Sequence, residues 1–187
     1  MDGTVVAVEL LERAIGYTRG TLATVTRVQL DRPTPCSRWR LRQLLDHMAD
    51  SLDALTEASG GLVPVTVIPV SGTPVEVLKE KACALLGAWS SPAAETVWLD
   101  DARLDAAVLL GAGALEVALH GWDVGQATGA GVPLPEGLAS ELLPLARELL
   151  TTQDRRVRFG PELPPTDETA SEALLGFSGR KPLQPQG

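Results

Sequence analysis

Residues 106–123, AAVLLGAGALEVALHGWD, decide how the fold is interpreted. From Ala106 to Leu115 every residue is apolar or glycine, and Glu116 and His120 then interrupt the run. A helix that is hydrophobic all round is typical of the centre of a protein, where other helices cover it. We therefore predict a buried helix over about 102–127, ending at Gly129, with two ionisable side chains that have little access to water.

Helical patterns flank this segment towards the N-terminus. A first helix is predicted over about 5–25, and a second from about Arg40 to Ser59, where two glycines follow. Thr73, Pro74 and Glu76 form a helix start with a capping box, so a third helix is predicted to run to about Trp89. Between these helices we predict a packed loop over 62–72, because two prolines disfavour a central strand. Residues 95–100 are predicted to be an extended link.

The C-terminal part of the sequence predicts shorter helices. A fifth helix is expected over about 136–151, kinked or divided at Pro144 because proline lacks the backbone N–H. A short helix is expected around Ser171 to Phe177. The predicted fold is all-α: an antiparallel four-helix bundle with an accessory helix and an ordered C-terminal tail. We expect one domain over 1–187, with the tail 155–187 packed on the bundle or partly flexible.

Composition and charge exclude several functional classes. The net charge is −8 and no basic stripe is visible, so a nucleic-acid partner is not expected. The sequence shows no secretory signal and no uncharged apolar run of membrane-spanning length, so we expect a cytoplasmic protein that does not bind membranes. Cys36 and Cys83 do not form a CxxC motif and are interpreted as small, buried apolar residues. No nucleophile elbow, phosphate-binding loop or HExxH motif is present.

Glu116 and His120 are the first candidates for a chemical role. Residues four apart in a helix lie on one face, so their side chains can reach one ion. The same spacing is also typical of a plain hydrogen-bonded pair. An isolated buried carboxylate is costly in free energy, and Glu116 therefore needs a partner of one kind or the other.

His47, the other histidine in the chain, completes a candidate metal site. It lies at the edge of the apolar stripe of the second helix and can face a seam between helices. Two histidines and one glutamate suit zinc with a position left for water or substrate, and nickel or iron are alternatives. His47, Glu116 and His120 are the predicted metal ligands. The alternative is that His47 is an ordinary boundary histidine.

Other residues near these ligands have candidate roles. Asp123 lies about one turn after His120 and is a candidate to orient that ligand, or else to pair with a basic tail residue such as Arg180. Trp39 and Trp122 are interpreted as core residues that could instead line a pocket. With Arg180 they are the candidates for contacting a bound thiol. The catalytic residues are not identified by the sequence.

The sequence resembles the DinB-like superfamily, and within it the actinobacterial metal-binding proteins related to the N-terminal domain of mycothiol-dependent maleylpyruvate isomerase. The motifs that carry this resemblance are 35–39 (PCSRW), 44–48 (LLDHM), 116–123 (EVALHGWD), 127–129 (ATG) and 174–182 (LLGFSGRKP). Arg40 departs from the pattern, because the family often has a threonine helix cap there. The isomerase also has a further C-terminal domain that finds no counterpart here, so the resemblance does not extend to maleylpyruvate isomerisation itself.

The resemblance implies a four-helix bundle with one divalent metal ion on His47, Glu116 and His120. It also implies mycothiol or a similar thiol as cosubstrate, which the metal would hold as a thiolate. The thiolate would add to or be transferred to a small electrophile, as in an S-transferase or isomerase. Two alternatives stay open: a thiol-independent metalloenzyme of secondary metabolism that uses metal-activated water, and a non-catalytic metal-binding or stress-response protein. The expected partner is a small molecule, and a homodimer is among the expected oligomeric states.

Overall fold

Helices make up most of the structure, a computed structural model that describes residues 3–36, 39–60, 71–90, 95–99, 102–157, 159–164 and 169–183. The all-α prediction is confirmed. The predicted packed loop over 62–72 stays a prediction, because 61–70 lie outside the described residues. In chain order the elements are α1 (Gly3–Leu22), a 3-10 turn (Arg27–Gln29), α2 (Leu41–Ala58), α3 (Pro74–Trp89), β1 (Thr96–Leu99), β2 (Ala102–Asp105), α4 (Ala106–Thr128), α5 (Glu136–Leu149), α6 (Thr152–Val157) and α7 (Ala170–Phe177).

The central element is α4, against which α1, α2 and α5 all pack. Within the described residues it is the one helix long and apolar enough to cross a membrane, but 72% of that apolar window is buried inside the fold. Its burial identifies it as the core helix of the bundle. The predicted stop is also observed, because Gly129 adopts the left-handed conformation (φ 75°) that ends a helix without strain.

Close packing joins α1 and α4, which run in the same direction. Gly3 lies near Ala107, and further along both helices the Thr18 hydroxyl donates a buried hydrogen bond to the Val117 carbonyl (2.8 Å). Gly121 allows this approach, since a Cβ at that position would lie 2.3 Å from Thr18 Oγ1. The α1–α4 contact therefore fixes the rotation of α4 about its own axis.

The second helix runs antiparallel to α4 and brings His47 towards it. Its apolar stripe is buried as the periodicity predicts, with Leu55 lying against Gly113 of α4. Arg40 provides no side-chain cap at the start of α2, and instead the Gln43 side chain accepts the Arg40 backbone N–H (3.0 Å). Although Arg40 departs from the family pattern, its backbone N–H at the start of α2 is therefore still hydrogen-bonded.

The third helix begins with the predicted capping box at Thr73 and Glu76. Two contacts hold it on α2. The buried Lys81 ammonium pairs with Asp53, and the Trp89 indole N–H donates to the Leu55 carbonyl (2.9 Å). The Asp53–Lys81 pair lies in the contact between the two helices, so it fixes how they meet.

The predicted start of the fourth helix near Ala102 is wrong. Residues 102–105 form β2, which pairs antiparallel with β1 so that Thr96 faces Asp105. The helix begins at Ala106 because the Asp105 carboxylate accepts the Ala107 N–H (2.7 Å) and caps it. Thr96, Val97 and Trp98 favour a strand, and this propensity is realised once a partner strand is available.

The predicted division of the fifth helix at Pro144 is also not observed, because α5 is continuous over Glu136–Leu149. Pro144 and Ser140 both lie on the exposed face. The Ser140 carbonyl, which lacks a donor four residues on, therefore faces water. The tail then returns to the bundle through α7, where Leu174 is fully buried.

Candidate metal centre

Three side chains from two helices meet at one point beside α4. Glu116 and His120 project from the same face of α4, one turn apart, and His47 reaches them from α2. The Nε2 atom of His47 lies 2.6 Å from Glu116 Oε1, and the Nε2 atom of His120 lies 3.2 Å from the same oxygen. One potential ligand atom from each residue lies within 4.8 Å of the others. The structure thus brings together all three residues predicted to be metal ligands.

The three side chains differ in their access to solvent. His120 is only 6% exposed, whereas His47 and Glu116 are 34% and 30% exposed. The site is therefore buried on the α4 side and open on the α2 side. A ligand arriving from solvent can reach Glu116 and His47 without any unfolding of the bundle.

Asp123 holds the buried histidine from behind. Its carboxylate is fully buried and lies 2.9 Å from His120 Nδ1. Arg180, from the C-terminal tail, donates to both oxygens of the same carboxylate through Nε (3.2 Å) and Nη2 (3.0 Å). The sequence offered two alternative roles for Asp123, orienting His120 or pairing with Arg180. Asp123 has both roles, because its carboxylate accepts hydrogen bonds from His120 and from Arg180.

The hydrogen bond from His120 Nδ1 to Asp123 determines what His120 Nε2 can present to Glu116. A carboxylate paired with a guanidinium is ionised and can only accept, so His120 Nδ1 must carry a hydrogen. In a neutral ring the Nε2 lone pair then points towards Glu116 Oε1, which also has only lone pairs. This contact is favourable only if a proton or a metal ion lies between the two atoms. The site therefore requires a cation.

The pKa values follow from the same arrangement. Burial alone would lower the pKa of His120, but Glu116 and Asp123 outweigh it and raise the pKa to about 9. Burial alone would raise the pKa of Glu116, but the charge and hydrogen bond of His120, together with His47, hold it well below its usual range. For Asp123, burial is likewise outweighed, chiefly by Arg180, and its pKa is lowered.

The donor set fits a divalent metal ion. Imidazole nitrogen and carboxylate oxygen are the ligands that zinc, nickel and iron accept, and three protein ligands leave a coordination position for another molecule. A metal-binding histidine usually donates its other ring N–H to a carboxylate, as His120 does to Asp123. His47, Glu116 and His120 are the residues that would hold such an ion.

A cavity of about 560 Å³ opens beside these ligands. This volume lies inside the range of about 300–1,000 Å³ that is typical of small-molecule sites. Its walls combine aromatic and apolar side chains with the guanidinium of Arg180. Besides the three ligands, the lining includes Cys36, Trp39, Leu55, Leu109, Phe159 and Arg180.

The tryptophan candidates have separate positions. Trp39 lines the cavity and lies against His47, with ring centroids 4.3 Å apart. Trp122 is buried and does not line the cavity. Trp39 and Arg180 thus stay candidates for contacting a bound molecule, and Trp122 belongs to the core.

The tail segment that places Arg180 depends on two glycines. Gly179 has a positive φ of 74°, and a Cβ there would lie 2.6 Å from the Gly160 carbonyl carbon. This close approach puts Phe159 in the cavity wall, where its ring lies 5.6 Å from the Arg180 guanidinium. Sequence reasoning missed Phe159, and the glycine beside it was the available signal for a close contact.

Part of the chain is similar to a known protein family. Residues 11–67 match the family described as the mycothiol maleylpyruvate isomerase N-terminal domain. This match contains His47 and α2, whereas Glu116 and His120 lie beyond it. No solved structure matches the chain significantly.

Two similar full-length relatives come from Mycobacterium tuberculosis: uncharacterized protein MT0763 of strain CDC 1551 / Oshkosh and uncharacterized protein Rv0738 of strain H37Rv. Each is 29% identical over 176 residues, which cover 90% of this chain and 94% of the relative. Because 90% of this chain is covered, the similarity extends through α4 as well as through α2. Together with the all-α fold, these matches confirm the predicted resemblance: residues 11–67 match the mycothiol maleylpyruvate isomerase N-terminal family, and the helical fold is consistent with a DinB-like bundle.

Proposed function

We propose that this protein binds one divalent metal ion through His47, Glu116 and His120 and uses it to activate a low-molecular-weight thiol for reaction with a small electrophile. The observation that carries the proposal is the convergence of one ligand atom each from His47, Glu116 and His120 to within 4.8 Å of one another. Zinc is the favoured ion, with nickel and iron as alternatives. Mycothiol is the favoured thiol because of the family to which residues 11–67 belong.

The charges of the site suit an anionic sulfur ligand. Glu116 and Asp123 contribute two negative charges and Arg180 contributes one positive charge, so the cluster carries one net negative charge when its histidines are neutral. A divalent ion reverses this to one net positive charge. A bound divalent metal lowers the pKa of a thiol and supplies it as a thiolate at neutral pH.

The residues of the chain supply the surroundings for that sulfur. Asp123 keeps His120 in the tautomer that presents Nε2 to the site. Trp39 holds the His47 ring by packing against it, and Trp39 with Phe159 provides apolar walls that exclude water from one side. In the reaction the sulfur forms a new bond to carbon, and the displaced electron pair of the electrophile takes up a proton or departs with a leaving group.

The thiol-independent alternative has less support from the geometry. It needs a proton acceptor beside the metal, and Asp50 and Asp123 are the acidic residues that the sequence offers. Asp50 is exposed on α2 and does not line the cavity. Asp123 is fully buried behind His120, where both of its oxygens are already bonded. Neither carboxylate is in a position to take a proton from a molecule in the cavity.

Metal analysis tests the first half of the proposal. The purified wild-type protein should contain about one equivalent of zinc, nickel or iron, and both His47→Ala and Glu116→Ala should lose it. Asp50→Ala, one turn from His47 on the same helix but exposed, is the matched control and should keep the metal. A wild-type protein that stays metal-free after incubation with these ions would overturn the metal site.

Spectroscopy on the cobalt-substituted protein tests the second half. Mycothiol should introduce an intense sulfur-to-cobalt charge-transfer band, which the corresponding disulfide should not produce. If cobalt binds but mycothiol leaves the cobalt spectrum unchanged, the metal site is supported and the proposal that the metal binds a thiol is wrong. If azide and imidazole also leave the cobalt spectrum unchanged, the metal has no open coordination position, and the non-catalytic metal-binding alternative is favoured.

The wider setting of the protein is part of the same proposal. We propose that it acts in the cytoplasm, where low-molecular-weight thiols are kept reduced, and that its partner is a small molecule rather than a nucleic acid or a membrane. The sequence-based expectation that both cysteines are buried is wrong, because Cys83 is exposed and Cys36 is half-buried. The single domain over 1–187 and a homodimer stay proposals, to be tested by limited proteolysis and by mass in solution.

A further inference from the structure

A second cavity lies between α1, α2, α3 and α4. Its volume is about 260 Å³, and its walls are almost entirely apolar. Glu116 lines this cavity as well as the larger one, so the two spaces share one carboxylate. The apolar lining includes Ile15, Leu22, Met48, Leu52, Leu78 and Leu86.

Two cationic side chains form part of its rim. Arg19 of α1 and Lys79 of α3 are both exposed and both line this cavity. In the described part of the chain the Arg19 guanidinium has no hydrogen bond or ion pair. Lys79 lies near Glu76, whose carboxylate is engaged in the cap at Thr73. The chain as a whole has a net charge of −8, so two cationic side chains beside one apolar cavity make this region locally positive in a negatively charged protein.

We propose that this second cavity binds an organic anion with a compact apolar body. The apolar body lies between the helices, and the anionic group lies outside, between Arg19 and Lys79. The opposite orientation is disfavoured because it would bring the anion against the carboxyl group of Glu116, which lines the inner wall. An apolar cavity with a few charged groups that fix orientation is the usual form of a small-molecule site.

The size of the cavity limits the ligand. Its volume lies just below the range of about 300–1,000 Å³ for drug-sized molecules, so a short unbranched or monocyclic carboxylate fits better than a long lipid. This inference goes beyond the proposed function, since it requires neither the metal nor a thiol. It can therefore be tested on protein from which metal has been removed.

Calorimetric titration of chelator-treated protein with octanoate is the first experiment. The expected result is saturable binding of one octanoate per chain, with weaker binding of 1-octanol, which has the same apolar body without the charge. Removal of the metal matters because a carboxylate could otherwise bind to the metal itself. Octanoate binding that occurs only with metal present would assign the anion to the metal centre and overturn the proposal.

Substitution of the rim cations tests the orientation. Arg19→Gln combined with Lys79→Gln should weaken octanoate binding about fivefold, as expected for two exposed ion pairs, and leave 1-octanol binding unchanged. Arg42→Gln combined with Arg147→Gln makes the same change in net charge away from the cavity and should change neither. If the rim variant and this control bind octanoate equally, the anionic class of ligand is wrong.

Filling the cavity tests its location. Ala82 lines it from α3, so Ala82→Phe should reduce the binding of both octanoate and 1-octanol more than tenfold. Ala84 lies on the same helix, is exposed and does not line the cavity, so Ala84→Phe is the matched control. Both variants are compared by thermal unfolding, and the rim variant remains a test should Ala82→Phe fail to fold. Unchanged binding in a folded Ala82→Phe protein would place the ligand elsewhere and overturn the proposal.

Discussion

The two halves of the candidate metal centre are held by different forces. On the α4 side, His120 is buried and bonded to Asp123, which is bonded in turn to Arg180. On the α2 side, His47 is one-third exposed, and it contacts the partly exposed Glu116 through Nε2 (2.6 Å) and Trp39 through its ring. One half is therefore fixed by buried charges that must be paired, and the other by contacts that are partly solvated. We infer that the α4 side gives the site its geometry and the α2 side gives it access.

The largest expected effect comes from breaking the buried ion pair. Arg180→Ala removes the guanidinium that binds both oxygens of the buried Asp123 carboxylate, which should lower the free energy of unfolding by about 3–5 kcal/mol. Urea denaturation of the metal-free protein measures this change. Metal affinity should also fall about 10- to 100-fold, because the orientation of His120 is lost.

The control for Arg180 is an exposed pair of the same chemistry. Arg13 pairs with Glu141 across α1 and α5, and the two side chains are 46% and 50% exposed. Arg13→Ala should cost less than about 1 kcal/mol. If Arg180→Ala costs no more than Arg13→Ala, the tail does not hold the metal centre in place.

The next effect concerns the backbone that positions Arg180. Gly179 and Gly129 have nearly equal positive φ values, 74° and 75°, but only the Cβ of an alanine at 179 would meet another backbone. Gly129→Ala should cost about 1–2 kcal/mol for the left-handed conformation alone. Gly179→Ala should cost about 1–3 kcal/mol more, because the Gly160 segment must move. Equal thermal shifts in the two variants would show that the 160–179 contact carries little energy.

The third effect separates the two histidines. In metal-free protein, His120→Ala should lower the free energy of unfolding by about 1–3 kcal/mol, because it removes a buried partner of Asp123. His47→Ala should cost less than about 1 kcal/mol, since that ring is partly solvated. Both variants should nevertheless lose the metal. Equal destabilisation by the two changes would contradict the difference between the two halves.

The smallest effect, counted per pH unit, is a dependence on pH that comes from the α4 side. The folded-state pKa of His120 is raised to about 9, so its proton must leave before a metal binds. Metal affinity should therefore rise with pH, by about tenfold (~1.4 kcal/mol) per unit between about pH 7 and 9. In metal-free protein the sign is opposite. A raised pKa stabilises the fold fully below about pH 6.5, and this stability is lost as pH rises through about 9.

Proton release measures this effect directly. Calorimetric metal titrations in two buffers of different ionisation enthalpy should show close to one proton released from His120 per metal ion at pH 7. The release should disappear above pH 9. A metal affinity that stays constant between pH 6.5 and 9 would contradict the raised pKa.

The sequence predicted those features that depend on local spacing. Thr73 and Glu76 cap α3 as expected, because a capping box involves only neighbouring residues. The convergence of Glu116 and His120 follows from one helical turn. Their meeting with His47 could be predicted because few ionisable residues lie on the apolar faces of these helices. The metal itself is still to be tested.

Features that depend on a distant partner were not predictable in the same way. The residues from Ala102 to Asp105 form a strand only because Thr96 to Leu99 pair with them, and this pairing lies outside any helical period. Pro144 leaves α5 undivided because the carbonyl it deprives of a donor happens to face water. The shared use of Asp123 by His120 and Arg180 depends on the return of the tail across the bundle.

The sequence by itself determined that a buried helix carries Glu116 and His120, and that His47 is the other histidine available to meet them. Spacing and hydrophobicity are local properties, and they fix which face of each helix is buried. Only the tertiary structure decided that Asp123 and Arg180 back one ligand, that Trp39 packs against another, and that a cavity lies on either side of Glu116. These arrangements depend on the rotation and spacing of packed helices, which Thr18 and Gly121 set through contact and which no single segment encodes.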